Sequence, residues 1–310
     1  MSILSKRYFH DEDAAFEHLE SMLWAGNPVC PHCGTVGTAT KLQGEKHRRG
    51  VWKCNEKECR KQFTVKVGTV FEHGRMPLHK MLQAVYLMCS SKKGISAHQL
   101  HRTLDITYKS AWFLAHRIRE AMAGGQFAQL GGEGKFVEAD HSYVGGKEKN
   151  KHRSKRKAEN IGGMGKQIVH ALVERGGAVR SHHIPNVTGE TLRPILRAHV
   201  NRKSALMTDT HGGYVRAGEE FARHEMVDHG IDEYVRGDAH SNTAENYFSI
   251  LKRGIVGCYF HVSEAHLHRY LAEFDFRYSN RAKLGVEDHA RTEKAMKAIV
   301  GKRLQYRGPN

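Results

Sequence analysis

The stretch Lys135-Phe-Val-Glu-Ala-Asp140-His-Ser-Tyr-Val-Gly-Gly146 decides how the rest of the chain reads. Residues 136–139 are a short, apolar-rich, β-compatible run between Gly131-Gly-Glu-Gly134 and Gly145-Gly146. A run so bounded predicts a buried central strand, with Asp140 at its end. A carboxylate there is costly unless a cation sits on it, and a lone Asp in such a place ordinarily caps the strand.

Two further carboxylates in equally improbable places argue for chemistry. Ser204-Ala-Leu-Met-Thr-Asp209 is a second short strand ending in Asp, followed by the turn Thr210-His-Gly-Gly213. Asn242-Thr-Ala-Glu245-Asn-Tyr-Phe248-Ser-Ile-Leu251-Lys252-Arg253 has helical periodicity, and Glu245 and Lys252, seven residues apart, share one face. Two carboxylates on strand ends and one on a helix make a set of hard oxygen ligands suited to Mg²⁺ or Mn²⁺. Two such ions about 3.5–4 Å apart stabilise the attacking and leaving oxygens of an in-line phosphodiester displacement, and Lys252 adds positive charge for the phosphate. Glu138 shares the face of Asp140 by strand alternation and rivals it for the first position.

Between these acids, residues 167–174 and 178–185 predict a hairpin about Arg175-Gly-Gly177, and residues 188–200 a helix opened by Thr188. Residues 147–157 hold seven cations against one acid. Such a run cannot pack, and it predicts a mobile loop, with Lys155, Arg156 and Lys157 gripping phosphate near the acids.

The amino-terminal part reads differently. Residues 11–24 predict a lead-in helix carrying Ala15, Phe16, Leu19, Met22 and Leu23. Cys30-Pro-His-Cys33 and Trp52-Lys-Cys54-Asn-Glu-Lys-Glu-Cys59 then give four thiols in two close pairs. That pattern matches a closed tetrahedral site for a structural Zn²⁺ held by two knuckles. Cys89 and Cys258 have no such partners and read as packing residues. Arg48 and Arg49, between the pairs, are candidates for phosphate contact. Residues 78–89 predict one helix, and residues 96–119 two more joined by a short turn, N-capped by Ser96 and Thr107. Leu100, Leu104, Ile106, Ala111, Leu114 and Ile118 form the expected seam of a helix-turn-helix. Tyr108 and Lys109 open its recognition helix and Arg117 lies further along it. An ordinary helical hairpin has the same pattern.

Over 310 residues, Lys and Arg number 49 against 33 Asp and Glu, a net charge of +16. That balance favours a polyanionic partner, nucleic acid before membrane. No apolar run approaches the roughly 18 residues of a membrane span, and no secretory signal opens the chain. The expectation is a cytoplasmic protein.

The order and spacing of Asp140, Asp209 and Glu245, with 35 residues between the last two and a Lys seven after the Glu, resemble the DDE transposases of bacterial insertion sequences. The resemblance is closer to the zinc-ribbon group, the IS-fifteen-ninety-five or ISXO-two-like transposases. It is carried by Val137-Glu-Ala-Asp140-His-Ser-Tyr-Val-Gly-Gly-Lys147, the Cys-Pro-His-Cys knuckle, Phe63-Thr-Val-Lys-Val-Gly-Thr69 and His268-Arg-Tyr-Leu-Ala-Glu-Phe-Asp-Phe-Arg-Tyr278. His141 stands where this group usually has an acid. Some relatives carry Asn at the third position, so Asn242 and Asn246 are alternatives to Glu245.

The resemblance implies an RNase H-like α/β core, a mixed sheet flanked by helices, preceded by the zinc ribbon and the helix-turn-helix. The expected domains are residues 1–75, 76–130 and 131–285, with a carboxy-terminal tail at 286–310. It further implies metal-dependent cleavage and strand transfer at terminal inverted repeats, with double-stranded end and target DNA as partners. A homo-oligomer assembled on that DNA, within a bacterial nucleoid, is the expected form. Two competing readings are a transposase-derived DNA-binding regulator without catalysis and an RNase H-like nuclease without strand transfer.

Overall fold

The computed structural model describes residues 3–124, 128–146, 148–157, 164–227 and 240–305. The chain divides into two compact units, Met1–Ala123 with Val286–Asn310, and Gly124–Gly285.

In the first unit, α1 (Glu12–Trp24) starts where predicted, because the Asp11 carboxylate accepts from the Ala14 N–H at 2.7 Å. Ala15, Phe16 and Leu19 are its buried stripe. Three short antiparallel strands follow in the order β1 (Ala39–Lys41), β2 (Trp52–Cys54), β3 (Gln62–Phe63). They close against α1 at Gly50, which has φ +66° and sits where a Cβ would fall 2.2 Å from the Phe16 ring. Only glycine meets both conditions.

Helices α2 (Leu78–Ser90), α3 (Ala97–Leu104) and α4 (Tyr108–Met122) follow. Ser96 and Thr107 cap α3 and α4 through the Gln99 and Ser110 N–H groups. Leu100, Leu104, Ala111, Leu114 and Ile118 are buried between them, as the periodicity predicts. Ile106 is only half-buried.

The second unit is a mixed five-stranded sheet in the order β6-β5-β4-β7-β8. Its central strand is β4 (Phe136–Val144). β5 (Gln167–Glu174) and β6 (Val179–Ile184) form the expected antiparallel hairpin beside it. β7 (Ala205–Asp209) and β8 (Arg223–Val227) pair parallel on the other side. Helices α5 (Gly189–His199) and α6 (Gly212–Gly218) pack on one face, around Val137, Ala139, Leu172 and Leu206. Helices α7 (Asn242–Gly254) and α8 (Glu264–Ser279) pack on the other, around Val144, Val169, Ala171 and Val173. Three antiparallel strands continued by two parallel ones, with helices on both faces, is the RNase H-like arrangement the resemblance implies.

β4 is longer than the sequence suggests, and Asp140 lies within it. From Asp140 to Val144 the strand keeps its antiparallel partner β5, Asp140↔Ala171 to Val144↔Gln167. On the other side the ladder to β7 stops at Ala139↔Thr208. Asp140 therefore marks the end of a ladder, not of a strand. His-Ser-Tyr-Val simply continues the alternation of a half-covered strand.

The segment 286–310 is more than a tail. It carries α9 (Asp288–Lys297), which packs on α2 in the first unit, where Arg291 Nη1 donates to the Cys89 carbonyl at 2.8 Å. No helix of the described residues is long and apolar enough to cross a membrane.

Candidate active site and zinc centre

Alternation along β4 sends Val137, Ala139 and His141 toward α5 and α6, and Glu138, Asp140 and Val144 toward α7 and α8. Asp209, closing β7, falls beside Asp140 where the two strands part. Asp140, His141 and Asp209 each offer a ligand atom, all within 4.8 Å of one another. Glu245 stands outside that cluster, exposed in the first turn of α7, with Lys252 exposed further along it.

The four predicted residues nevertheless share one electrostatic site. The Asp140 carboxyl is pushed up to about 7, first by burial, then by the charges of Asp209 and Glu245. Its hydrogen bond from the His141 N–H and the Lys252 ammonium pull the other way. His141 Nδ1 lies 3.9 Å from Asp209 Oδ2, and the Asp209 carboxylate accepts from the His211 N–H at 3.2 Å. Burial holds the His141 imidazole below its ordinary value, with Asp209 opposing and His211 adding to the effect. Carboxylates that repel one another in a half-buried cleft fit a divalent cation, which would replace the missing positive charge.

Glu138, the rival for the first position, is tied up elsewhere. Its side chain is fully buried. It accepts from the Thr243 and Ala244 N–H groups at 2.8 and 2.9 Å and from the Thr243 hydroxyl at 2.9 Å. Arg175 Nε donates to it at 2.6 Å, while Arg175 Nη2 reaches the His240 carbonyl. Glu138 thus binds N–H groups of the first turn of α7 and holds in place the helix that bears Glu245. Sequence reasoning found the face but missed this partner, because residues 138 and 243 meet only through the sheet. Glu138→Gln breaks a buried ion pair, so we expect a loss of about 3–5 kcal/mol in stability, read as a lower melting temperature. A melting temperature equal to that of the parent protein would remove Glu138 from this role.

In the first unit the four cysteines converge. Cys30 and Cys59 sulfurs are 3.7 Å apart, Cys33 and Cys54 sulfurs 3.6 Å, and all four lie within 4.8 Å of one another. Four ligands at about 2.3 Å around a tetrahedral Zn²⁺ have edges of about 3.8 Å, so the geometry fits zinc and leaves no open position. Burial pushes the Cys54 thiol up to about 12, whereas the Thr35 hydroxyl and N–H bring Cys33 down to about 6. Cys89 is buried in α2, and Cys258 lies beyond α7; neither joins the cluster.

Of the predicted DNA contacts, Arg48, Arg49, Tyr108 and Lys109 are exposed, as are Lys155, Arg156 and Lys157. Lys147, at the start of that basic stretch, lies outside the described residues. Arg117 is turned inward: its Nη1 donates to the Glu72 carbonyl at 2.8 Å and its guanidinium covers the Phe113 ring. Arg156 holds its own loop through the Lys149 and Lys151 carbonyls.

Comparison with known proteins agrees with both units. The model of the ISXO2-like transposase domain matches residues 129–279, and that of the transposase zinc-ribbon domain matches residues 10–62. The chain is 30% identical over 290 residues to the uncharacterized protein in transposable element ISH50 of Halobacterium salinarum, covering 90% of this chain and 95% of that protein. With the two aspartates on a mixed sheet, the thiols on a ribbon and the relationship spanning nearly its whole length, the chain belongs to the ISXO2-like DDE transposases of insertion sequences.

Proposed function

We propose that the protein binds the terminal inverted repeats of its insertion sequence and catalyses cleavage and strand transfer of the element ends. The observation that supports this best is the shared electrostatic site of Asp140, Asp209, Glu245 and Lys252. These groups sit on three elements brought together only by the fold, and burial with the charges of Asp209 and Glu245 pushes the first acid up to about 7, a cost that a divalent cation would relieve. Asp140, Asp209 and Glu245 would hold Mg²⁺ or Mn²⁺, whose contribution is to neutralise charge on the attacking and leaving oxygens. In cleavage, a water oxygen bonds to the phosphorus at the element end and the 3′ oxygen leaves as a hydroxyl. In transfer, that 3′ hydroxyl attacks a target phosphodiester and displaces the target's own 3′ oxygen. Lys252, on the face of Glu245, contacts the phosphate in both steps.

Zn²⁺ on Cys30, Cys33, Cys54 and Cys59 fixes the ribbon. Arg48 and Arg49 on it, with Tyr108 and Lys109 at the start of α4, contact the repeat. The functional divisions proposed are residues 1–75, 76–130 and 131–285, with α9 in the closing segment bracing the helical part. Homo-oligomers on end and target DNA, at the nucleoid of the cytoplasm, complete the reading.

The test is direct. Duplexes carrying the repeats that flank the coding region are incubated with the protein and Mg²⁺ or Mn²⁺. Nicking at the repeat end and joined products are expected, and both should disappear with EDTA. Binding without cleavage at any end would favour the regulator, and cleavage without joining the nuclease. The basic loop has its own prediction. Replacing Lys155, Arg156 and Lys157 with Ala should reduce the slope of log K against log salt by at most about three, since each lost phosphate contact removes about 0.9. Preference for the repeat over random duplex should survive. An unchanged slope would mean that these cations never reach phosphate.

A further inference from the structure

The segment that follows α7 has no part in the chemistry above. From Glu245 to Glu264 the chain carries no other carboxylate, while Lys252, Arg253 and His261 fall within it. α7 runs into a single wide turn, Ile255–Tyr259, of π type, a form enriched at functional sites. Phe260 comes next, with φ 59° and ψ −47°, and the His261 N–H donates to the Tyr259 carbonyl at 2.6 Å. That is the rare γ-turn of positive φ. A bulky aromatic residue adopts it only where its surroundings impose it.

Tyr259 imposes it. Its phenol donates to Glu273 Oε1 at 2.6 Å, and its ring stands edge-on to Tyr270 at 4.8 Å and to Phe274 at 6.2 Å. Glu273 is fully buried and pairs with Arg277 at 3.2 Å. With Tyr259 pinned into α8, the γ-turn throws the next side chain outward. Phe260 is 81% exposed, and Val256, one turn earlier, is 68% exposed. Scattered exposed apolar residues need no explanation. A strained, rigidly mounted phenylalanine in a basic stretch of chain, just past the helix that carries Glu245 and Lys252, does.

We propose that Phe260, with Val256 beside it, is an apolar wedge that enters the base stack of the DNA end held at the Asp140–Asp209–Glu245 site. The proposal deepens the proposed function and rests on it. Cations in the same acid-free stretch as a projecting apolar side chain match a duplex, whose phosphates take the cations while the unstacked step takes the ring. A hydrophobic protein partner offers nothing to Lys252 and Arg253. Phe260 lies fifteen residues beyond Glu245, at most about 22 Å at 1.5 Å per residue. The wedge therefore enters within about six base pairs of the cleaved phosphate, at 3.4 Å per step. Unstacking there frees the strand to reach the acids.

The experiment uses the full chain and repeat-end duplexes with 2-aminopurine at each of the first several positions, so that fluorescence reports unstacking on binding alone. One position should brighten with the parent protein and with Glu245→Gln. The signal should vanish with Phe260→Ala and persist with Phe260→Trp. Phe260→Ala should bind the end within about threefold of the parent, because phosphate contacts are kept, and cleave it about tenfold or more slowly. An abasic site at the brightening position should restore its rate. Phe260→Gly, which also relieves the turn, should behave like Phe260→Ala, excluding misfolding as the cause. If no position brightens, or if Phe260→Ala cleaves as the parent does, the wedge is refuted even where the ends are cleaved. If Phe260→Ala instead changes the sedimentation of DNA-free protein, the residue joins two copies of the chain and the wedge is again refuted. Cleavage by the parent tests the active-site reading separately.

Discussion

Asp140→Asn is expected to abolish end cleavage and strand transfer and, at the same time, to raise the thermal stability of the metal-free protein at pH 8. The two effects have one cause. Burial, and then the charges of Asp209 and Glu245, push the carboxyl up to about 7 from an ordinary 3.8. Ionising it therefore costs the folded state. The cost is absent below the unfolded value, grows as the pH rises toward 7, and is complete above it. Full ionisation corresponds to roughly 4 kcal/mol, so Asn, which keeps the shape, should melt several degrees higher at pH 8 and no higher near pH 4. Mn²⁺ should raise the melting temperature of the parent and not that of the variant. Activity should fall by about 10³-fold or more, because the lost ion supplies several kcal/mol of charge stabilisation and each 1.36 kcal/mol is tenfold. Asp209→Asn and Glu245→Gln should be similarly inactive. Asn242→Ala, at the exposed head of α7, should remain active, since a neutral amide is a poorer ligand for Mg²⁺. Strand transfer persisting in Asp140→Asn would overturn the assignment, as would a Glu245→Gln variant that works while Asn242→Ala is dead. Equal melting temperatures at pH 8 would overturn the electrostatic account.

What made this site legible is that each acid ends or interrupts a short apolar run. Strand periodicity around residues 136–139 and 205–209, and helical periodicity after Asn242, place Asp140, Asp209 and Glu245 on the right elements. They do not say how long β4 is. The ladder to β7 stops at Ala139 while the ladder to β5 continues to Val144, and pairing partners are non-local. The same non-locality hid Glu138, whose carboxylate closes the first turn of a helix that begins more than a hundred residues later. It also hid α9, whose contacts are with α2 at the other end of the chain. β8 and α6 went unread for a different reason: Arg223–Val227 is polar and half-exposed, and Gly212–Gly218 is short and glycine-rich. Neither carries the apolar period that marks an element.

Phe260 had no signal in composition at all. Only a γ-turn in three dimensions separates an exposed phenylalanine from a core one. Charge alone does not separate Lys155 and Lys109, which are exposed, from Arg117, whose guanidinium braces the Glu72 carbonyl. A long cationic side chain on a helix buries its stem readily, and helical phase alone does not separate bracing from contact with a ligand.

Removing zinc should have an equally large effect, confined to the ribbon. Three strands of two or three residues each, with Cys30, Cys54 and Phe63 as their buried centre, cannot supply a stable core by themselves. The ribbon's folding free energy is then mostly that of the metal, about 10–16 kcal/mol for structural zinc at neutral pH. The parent protein should carry one Zn²⁺ per chain by elemental analysis, and a strong chelator or Cys54→Ser should release it. Trp52 reports the consequence. Its ring meets Trp24 edge-on at 5.7 Å and its Nε1 donates to Glu20 at 2.9 Å. Loss of zinc should shift tryptophan emission to the red, while hydrogen exchange across β4, β5 and β7 stays protected. Repeat binding should weaken, because Arg48 and Arg49 lose their support. Cys258→Ser, outside the cluster, should keep both zinc and emission. Acidification should release the metal as the thiolates take protons. Freshly prepared protein without zinc would sink this reading, and so would a Cys54→Ser variant with unchanged metal content and emission.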